Sequence, residues 1–406
     1  MRSVEEQLKV IRRGVVQICE EGELREKLAR GKRLRVKLGV DPTAADLHLG
    51  FTVVLRKLRQ FQELGHQAVL IIGTYTAQVG DPSGRDKSRP QLAEETVMAN
   101  AEKYLAQAGK VLDLSRVEVR YNGEWFKGMK FMDVIKLLAK STVARMLERE
   151  DFSGRVSAGV PIYLHEIVYP LMQGYDSVVV GADVELGGSD QTFNLMMGRD
   201  LQRDAGQEPQ VCITMPLLEG LDGVRKMSKS FGNYVGINEA PKEMFGKIMS
   251  VSDEMMWKYY ELVTDVALEE IEEMREGVTE GGLHPMEVKK RLAGEIVRMY
   301  HGEGAAREAR EEFERVFSAR EVPSEMREVR VVPDGEGRID VVGLLVKNGL
   351  ASSNGEARRL IGQGAVELGG ERVKELRVVA PREGEVVLRA GKRRFLRVII
   401  ERGGTT

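Results

Sequence analysis

Apolar and polar residues alternate along this chain with two different periods. Continuous apolar runs at 36–40, 68–73 and 211–215 predict buried strands. Between them, apolar residues recur at helical spacing, as in the segment that contains Val53, Leu58 and Phe61. Strands that are apolar on both faces are typical of parallel sheets covered by helices, so the pattern predicts an α/β fold.

The other elements follow from the same periodicity and from the positions of Gly and Pro. The pattern predicts one amphipathic helix over 3–30, a helix near 93–109, strands near 117–121, 178–180 and 184–188, and a charged helical region over 239–320 with Met255, Trp257, Tyr260 and Leu262 in its core. A linker is predicted at 321–338, followed by a compact unit with a capped helix near 351–361 and short strands.

A turn containing Asp41 and Thr43 joins the first buried strand to the helix that begins near His48 and Gly50. Ligands of parallel α/β sheets bind beyond the carboxyl ends of the strands, and free amides at a helix N-terminus favour phosphate. Thr43 and His48 would add side-chain donors to the same anion, and Gly39 allows a ligand to approach the backbone closely. Considered alone, the segment is equally well explained as a helix start with a solvent-facing His.

Further polar segments follow the predicted strands. A Gly-rich stretch at 74–89 comes directly after the second strand, a position where binding residues are often found. Residues 187–191 open a helix, so Asp190 and Gln191 are explained equally well as capping residues. A basic loop bounded by glycines lies at 221–233.

Tyr169, Gln173 and Asp176 are spaced to share one stripe of a helix. Pro170 and Gly174 predict that this helix is kinked or begins at Pro170. Considered alone, the stripe favours a structural interpretation, with Tyr169 as a core aromatic and Asp176 as a surface cap.

Composition narrows the class of protein. A chain of 406 residues is long enough for two or three domains, and its 31% charged residues weakly indicate a heat-adapted surface. Two cysteines exclude a disulfide framework and fit a reducing compartment. Residues 339–406 hold 13 Lys and Arg against 8 Asp and Glu, so this tail is predicted to contact a polyanion. The N-terminus is not a secretion signal and no apolar run approaches a membrane span, which predicts a soluble, cytoplasmic protein.

Two motifs together indicate the function most specifically. Asp46-Leu47-His48-Leu49-Gly50-Phe51 resembles the His-Ile-Gly-His signature of class I aminoacyl-tRNA synthetases, and Lys226-Met227-Ser228-Lys229-Ser230 is identical to their second signature. Residues 80–84, the Tyr169, Gln173 and Asp176 set, and residues 188–191 match the tyrosyl branch. The basic tail resembles the S-four-type RNA-binding domain. Along essentially its whole length, the chain therefore resembles the bacterial-type tyrosyl-tRNA synthetases.

The resemblance implies a fold and a division into domains. The expected fold is a Rossmann-like parallel-sheet catalytic domain followed by an α-helical domain and a small α+β S-four-type domain. The expected bounds are 1–33 for an N-terminal helix, 34–235 for the catalytic domain with a dimer-forming insertion at about 122–180, 236–320 for the helical anticodon-side domain, 321–338 for the linker and 339–406 for the RNA-binding domain.

The resemblance also implies site residues and partners. Tyrosine would be bound by Lys37, Asp81, Tyr169, Gln173, Asp176 and Gln191, with Asp81, Tyr169 and Gln173 at its ammonium group and Asp176 at its phenol. The ATP polyphosphate would be stabilised by the catalytic set Thr43, His48, Arg85, Arg89, Lys226 and Lys229, and the nucleotide contacted by Gly39, Asp41, Gly50, Gly188, Asp190, Met227 and Ser228. Arg358, Arg359, Lys392, Arg393 and Arg394 would bind tRNA(Tyr). A homodimer and Mg²⁺ held largely by ATP are expected, without a protein-bound metal.

The implied reaction fits these residue types. The tyrosine carboxylate is already a nucleophile at neutral pH, and it would attack the α-phosphorus of ATP without a general base. The cationic side chains would stabilise the charge that develops on phosphate and on the departing pyrophosphate. A terminal ribose hydroxyl of tRNA would then attack the mixed anhydride. A buried Asp that faces the phenol would explain the rejection of phenylalanine, for which this family is itself the standard example.

The chain departs from the family pattern at three positions. Phe51 replaces the second His of the first signature, so one hydrogen bond to the nucleotide is lost or supplied elsewhere. Lys37 stands where some members have a Tyr that helps to read the phenol, and it would pair with Asp176 or point away. Leu38 replaces a Cys that contacts the ribose in those members.

Three other interpretations compete with this one. Tryptophanyl-tRNA synthetase shares both signatures and the fold, but it usually lacks such a tail and has a different pocket. A nucleotidyltransferase of the same superfamily would explain His48 but not the tail or the 226–230 loop. A non-enzymatic RNA-binding protein would explain the tail alone. Exchange of pyrophosphate into ATP with tyrosine, tryptophan or phenylalanine distinguishes them.

Overall fold

The computed structural model describes residues 2–44, 46–83, 92–318, 326–380, 384–391 and 394–401, and it divides into two compact units, Met1–Ala306 and Arg307–Thr406. The α-helices are α1 (Val4–Arg12), α2 (Glu21–Ala29), α3 (Leu49–Glu63), α4 (Thr76–Val79), α5 (Glu94–Ala108), α6 (Gly123–Phe126), α7 (Phe131–Leu138), α8 (Val143–Met146), α9 (Glu150–Ser157), α10 (Leu164–Val180), α11 (Thr192–Asp204), α12 (Pro241–Ile248), α13 (Met255–Val263), α14 (Leu268–Thr279), α15 (Pro285–His301), α16 (Glu303–Ser318), α17 (Val341–Lys347) and α18 (Asn354–Gly362). The strands are β1 (Gln17–Cys19), β2 (Arg35–Val40), β3 (Gln67–Ile72), β4 (Val117–Tyr121), β5 (Val184–Gly188), β6 (Val211–Met215), β7 (Glu328–Val331), β8 (Arg338–Asp340), β9 (Val366–Leu368), β10 (Glu371–Arg372), β11 (Arg377–Val379), β12 (Gly384–Ala390) and β13 (Arg394–Ile400).

The described strands of the first unit form a six-stranded sheet in the order β1-β6-β5-β2-β3-β4. Strands β2 to β6 pair in parallel, and only β1 runs antiparallel, against β6. The order reverses between β2 and β5, because β3 and β4 lie on one side of β2 while β5 and β6 lie on the other. In doubly wound sheets a crevice for ligands opens at such a point, beyond the carboxyl ends of the strands. The predicted parallel α/β fold is confirmed.

The N-terminal segment differs from the single helix predicted over 3–30. It forms α1 and α2, separated by Gly14 at φ +62° and by strand β1. The amide of Val16 donates to the Thr214 carbonyl at 2.9 Å, next to the β1–β6 ladder. The opportunity to pair with the sheet edge therefore overrides the helical spacing of the apolar residues.

Residues 178–180 are helical, so the strand predicted there is wrong. They form the last turn of α10, which runs through Pro170 and ends at Gly181 with φ +58°. Proline removes one hydrogen bond from a helix interior. The buried face of α10 compensates for that loss, because Leu171, Met172 and Val180 all pack into the core.

The helical region after residue 239 is confirmed as α12 to α16, and Tyr260 and Leu262 are buried as predicted. Met255 and Trp257 are only partly buried, whereas Met256 and Tyr259 are fully buried. Neighbouring positions on a helix point about 100° apart, so choosing the adjacent residue selects the wrong face.

The second unit contains a sheet in the order β10-β9-β12-β13-β7, with Leu388, Leu396 and Val398 fully buried. Strand β7 falls in the segment predicted as linker, where it pairs in parallel with β13. Part of that segment therefore belongs to the compact unit. The predicted capped helix is confirmed as α18, whose N-cap Ser353 accepts a hydrogen bond from the Glu356 amide.

Candidate active site

The carboxyl ends of β2 and β5 lie at the reversal of strand order, where the rule for doubly wound sheets places the ligand crevice. Gly39 lies near the end of β2, and a Cβ placed there would have no neighbour within 4 Å except Lys37 Cε at 4.0 Å. Gly188 ends β5, where a Cβ would lie 2.8 Å from Asp190 Oδ1. The Gly39 backbone thus faces open space, while Gly188 allows Asp190 to fold close to its strand.

Tyr169 reaches from α10 to the turn after β2. Its hydroxyl donates to Asp41 Oδ2 at 2.9 Å, and the hydroxyl of Thr76 donates to Asp41 Oδ1 at 2.7 Å. Tyr169 is buried with its hydroxyl bonded, as the structural interpretation predicted. Asp41 was expected to contact ATP. Both of its carboxylate oxygens instead accept hydrogen bonds from side chains, namely those of Tyr169 and Thr76.

Asp176 is buried, with 3% of its surface exposed, so the prediction of a surface cap is wrong. Trp125 Nε1 donates to Oδ1 at 2.9 Å, and Asn122 Nδ2 lies 3.4 Å from Oδ2. Burial raises the pKa of Asp176 to about 7, although Lys37 and these donors favour the carboxylate. Asn122 also donates to Thr76, which links Asp176 to the cluster around Tyr169.

A chain of amide hydrogen bonds joins Gln173 to Asp81. Asn194 Nδ2 donates at 3.0 Å to Gln173 Oε1 and to Gln191 Oε1. Gln191 Nε2 then donates to Asp81 Oδ2 at 2.9 Å, while the amide of Ser83 donates to Asp81 Oδ1. The structure therefore brings Asp81, Gln173 and Gln191 together, although Asp81 and Gln191 are 110 residues apart in sequence.

Lys37 forms its ion pair with Glu185 and not with Asp176, the partner that one of its two expected arrangements gave it. Its ammonium group lies 2.8 Å from Glu185 Oε1, and both side chains are completely buried. It also donates to Ser177 Oγ and to the Gln173 carbonyl. The reason is the register of the sheet, since Lys37 and Glu185 are partners in the β2–β5 pairing.

Several side chains that complete these clusters were missed from the sequence. They are Thr76, Asn122, Trp125, Arg149, Glu185 and Asn194. Asn122 and Trp125 follow β4 directly, so the rule that selects residues beyond the carboxyl ends of parallel strands would have found them. Arg149 and Glu185 act through distant contacts that leave no local pattern.

His48 is the N-cap residue of α3 and is 93% buried, so the solvent-facing interpretation is wrong. Burial, and secondly the charge of Lys229, lower the pKa of His48 to about 4, which leaves the ring neutral at pH 7. Among the described residues, its Nδ1 atom has no hydrogen-bond partner. A buried ring nitrogen without a partner is a natural position for a ligand atom. A Cβ at Gly50 would lie only 3.0 Å from this ring, so a larger residue there would require the ring to shift.

The two signature segments lie side by side. The amide of Leu49 donates to the Val235 carbonyl, and the amide of Ile237 donates to the Leu47 carbonyl. Lys229 Nζ lies 3.1 Å from Asp46 Oδ2. The loop of the second signature is therefore anchored beside the first, at the N-terminus of α3.

The other residues of the second signature are also placed by the structure. Lys226 Nζ lies 3.3 Å from Asp190 Oδ2, at the end of β5. Met227 is buried against Gly50, and the Ser228 amide donates to Asn233 Oδ1. Both lysines are partly exposed and carry ion pairs of a kind worth little in water, about 0–1 kcal/mol. A phosphate could therefore replace their present partners at small cost.

The remaining predicted site residues have mixed outcomes. Thr43 lies in the turn before α3, with its amide donating to the Asp41 carbonyl. Arg358 and Arg359 are exposed on α18, while Arg394 is half-buried and bonds Glu356 and the Leu350 carbonyl within its unit. Outside the described residues lie Arg85, Arg89, Lys392 and Arg393.

None of the helices in the described part of the chain has the length and hydropathy of a membrane span. In the same part of the chain, no group of three or more His, Cys, Asp and Glu side chains is placed to hold a metal ion.

Comparison with known families defines the class of protein. The family model of the class I tRNA synthetases for tryptophan and tyrosine matches residues 29–318, and the model of a tyrosine–tRNA ligase C-terminal domain matches residues 319–398. The chain therefore belongs to the class I tRNA synthetases, whose shared substrate is ATP. Among solved structures, a C-terminally truncated mitochondrial tyrosyl-tRNA synthetase of Aspergillus nidulans shares the fold with a TM-score of 0.64 at 21% identity, covering 78% of this chain and 95% of that one. The Archaeoglobus fulgidus enzyme complexed with L-tyrosine gives 0.62 at 23% identity, covering 76% and 100%.

Close sequence relatives narrow the class further. The tyrosine–tRNA ligase of Moorella thermoacetica is 55% identical over 402 residues, which cover 98% of this chain and 96% of that protein. That of Thermotoga maritima is 52% identical over 394 residues, covering 97% of each. Within its class, the chain belongs to the tyrosine–tRNA ligases, which join tyrosine to tRNA. The family resemblance is confirmed, and the three competing interpretations are wrong.

Proposed function

We propose that the crevice between β2 and β5 is where L-tyrosine and ATP react to form tyrosyl-adenylate. The continuous chain of contacts from Asp81 through Gln191 and Asn194 to Gln173 carries this proposal, because it sets a carboxylate and an amide oxygen together beside α10. These are the acceptors that an α-ammonium group requires. Asp176 lies one helical turn further along α10 and is proposed to accept a hydrogen bond from the tyrosine phenol.

ATP would be bound at the opposite side of the crevice, by the two signature segments. The neutral His48 ring would donate to a phosphate oxygen, and the positive end of the α3 dipole would favour the phosphate charge. Lys226 and Lys229 would exchange Asp190 and Asp46 for the phosphates. Thr43, Arg85 and Arg89 are proposed to add donors, and Gly39, Gly188 and Asp190 to border the ribose.

The reaction then needs orientation and charge stabilisation more than proton transfer. The tyrosine carboxylate, steered by Gln191, attacks the α-phosphorus, and pyrophosphate departs toward the lysines. Mg²⁺ bound to the ATP phosphates would share their charge. In the second step the tRNA ribose hydroxyl attacks the carbonyl of the mixed anhydride and releases AMP. The exposed Arg358 and Arg359 are proposed to bind tRNA(Tyr) in the cytoplasm, where translation takes place.

We also propose that the segment 122–180 forms the contact of a homodimer. Large apolar side chains are exposed along it, namely Phe131, Met132, Val143, Val156, Tyr163 and Leu164. Several large exposed apolar side chains within one segment are typical of an association site. The paired change Phe131→Asp and Leu164→Asp should yield monomers in light scattering, while Val332→Asp, at an exposed position of the second unit, should leave the mass unchanged. A monomeric wild type would contradict the proposal.

Tyrosine-dependent exchange of pyrophosphate into ATP tests the site assignment. Gln173→Ala and Asp81→Asn should each raise the tyrosine KM by about tenfold or more, because each removes a hydrogen bond to a charged group. Asp204→Asn, on the exposed surface of α11, is the matched control and should behave as wild type. Exchange that depends on another amino acid, or an unchanged tyrosine KM in both variants, would refute the assignment.

A further inference from the structure

The Lys37–Glu185 pair is isolated from solvent, and its polar atoms are satisfied. Lys37 Nζ makes three hydrogen bonds, to Glu185 Oε1, Ser177 Oγ and the Gln173 carbonyl, at 2.8 to 2.9 Å. Glu185 accepts from Lys37 and Gln173 through Oε1, and from Ser177 and Gln210 through Oε2. A buried ion pair of this kind is weak evidence for stability, since apolar residues of similar volume often serve as well. Its presence therefore calls for another reason.

That reason lies in the orientation of the Gln173 side chain. Its Nε2 atom lies 3.2 Å from Glu185 Oε1, and its Oε1 atom accepts from Asn194 Nδ2 at 3.0 Å. The direction of these bonds is fixed at both ends. Glu185 as a carboxylate can only accept, and Arg149, which donates to Asn194 Oδ1 at 3.2 Å, can only donate. A flipped Gln173 amide would set its oxygen against the Glu185 carboxylate.

We propose that the Lys37–Glu185 pair is a positioning element for tyrosine, in which Glu185 holds the Gln173 amide so that its oxygen faces the substrate ammonium group, and Lys37 holds Glu185 and the α10 backbone in place. This inference rests on the proposed assignment of Gln173 to the tyrosine site. Neither residue touches the substrate. They determine instead which atom of Gln173 the substrate meets.

Lys37 has a second effect on the same pocket. Asp176 lies within the electrostatic reach of both members of the pair, with Lys37 lowering its pKa and Glu185 raising it. The charge of Lys37 therefore offsets the electrostatic repulsion between the carboxylates of Asp176 and Glu185. Removing Lys37 alone would leave both acids without a counter-charge, so the test must change both residues together.

Two double variants that differ at a single position separate orientation from packing. Lys37→Met with Glu185→Leu removes the charges and the acceptor for Gln173, whereas Lys37→Met with Glu185→Gln removes the charges but keeps an acceptor. In pyrophosphate exchange, the Leu version should raise the tyrosine KM about tenfold or more, with the ATP KM changed less than about twofold. The Gln version should recover most of the tyrosine KM. Equal tyrosine KM values in the two variants, or a Leu version that matches wild type, would overturn the proposal.

Controls distinguish this proposal from the site assignment on which it rests. Lys289→Met with Asp253→Asn neutralises an ion pair of the helical region, in which Lys289 is buried, and should leave both KM values unchanged. Gln173→Ala must raise the tyrosine KM, and if it does not, the site assignment fails and the positioning role with it. If Gln173→Ala has its effect and the Leu version does not, only the positioning role fails. Should the Leu version not fold, Ser177→Ala replaces it, because this change removes one hydrogen bond from Lys37 and one from Glu185. A threefold higher tyrosine KM would then support the proposal, and an unchanged value would overturn it.

Discussion

The buried Asp176 carboxyl makes the stability of the first unit depend on pH in a defined direction. Its pKa is raised from 3.8 to about 7, so between these values the native protein keeps a proton that the unfolded chain has released. The stability associated with this group is fully present below pH 3.8 and is lost as the pH rises through 7. The difference between the two pKa values corresponds to about 4 kcal/mol in total, at about 1.4 kcal/mol per pH unit.

The substitution Asp176→Asn isolates the contribution of this carboxyl group to stability, because the asparagine side chain has the same shape as aspartate and does not titrate. Both tryptophans of the chain, Trp125 and Trp257, belong to the first unit, so their fluorescence follows its unfolding in urea. From about pH 5 to 7, the free energy of unfolding of the wild type should fall relative to the variant by about 2–3 kcal/mol. Above pH 8 the difference should stay constant.

The other titrating groups are common to both proteins, so the difference between them removes their contribution. A difference that is flat from pH 5 to 8 would mean that Asp176 is ionised throughout this range and that Lys37, Trp125 and Asn122 outweigh its burial. A native pKa at or below 3.8 would give the same flat difference, because the unfolded carboxyl is itself ionised above about pH 5. A flat difference would therefore refute the reasoning from burial.

Three further predictions concern function. Asp176→Ala should reduce kcat/KM for tyrosine far more than for phenylalanine, because phenylalanine has no hydroxyl to lose; equal losses would contradict a role in reading the phenol. Lys229→Ala should lower kcat of pyrophosphate exchange by about 10²-fold or more with little change in tyrosine KM, and a selective rise in that KM would place Lys229 elsewhere. Deleting residues 319–406, which include the segment matched by the C-terminal domain model, should preserve exchange and weaken tRNA charging, whereas loss of both would give the deleted segment a structural role.

The parallel sheet and the two signatures could be predicted because their signals are local. An apolar run identifies β3 or β6 without reference to the rest of the chain, and the strand-turn-helix at 36–51 needs only adjacent residues. The errors have one common cause. Residues 178–180 and the N-terminal segment take conformations set by what they pack against, α10 by the core beneath it and β1 by the edge of β6.

The interior of the site was harder to predict than its border. Lys37 was expected to pair with Asp176 or to point away, but the fold gives it Glu185 as a partner, 148 residues away and opposite it in the β2–β5 register. That pairing depends on which strands become neighbours, and strand order cannot be predicted from any local sequence pattern. The partner of Asp41 could not be predicted for the same reason, because Tyr169 belongs to a helix 128 residues later in the chain.

The two sides of the crevice differ in how firmly their side chains are held, and this difference predicts how variants will divide. Gln173 is bonded at both ends of its amide, and Asp176 is buried with two donors, so substitutions there alter a fixed geometry and should act on tyrosine affinity. Lys226 and Lys229 hold only partly exposed carboxylates, and such pairs contribute little. Their charges are therefore available to phosphate when charge develops during the reaction, so substitutions there should act on kcat. A series in which both groups of variants changed the same kinetic constant would show that the crevice is not divided in this way.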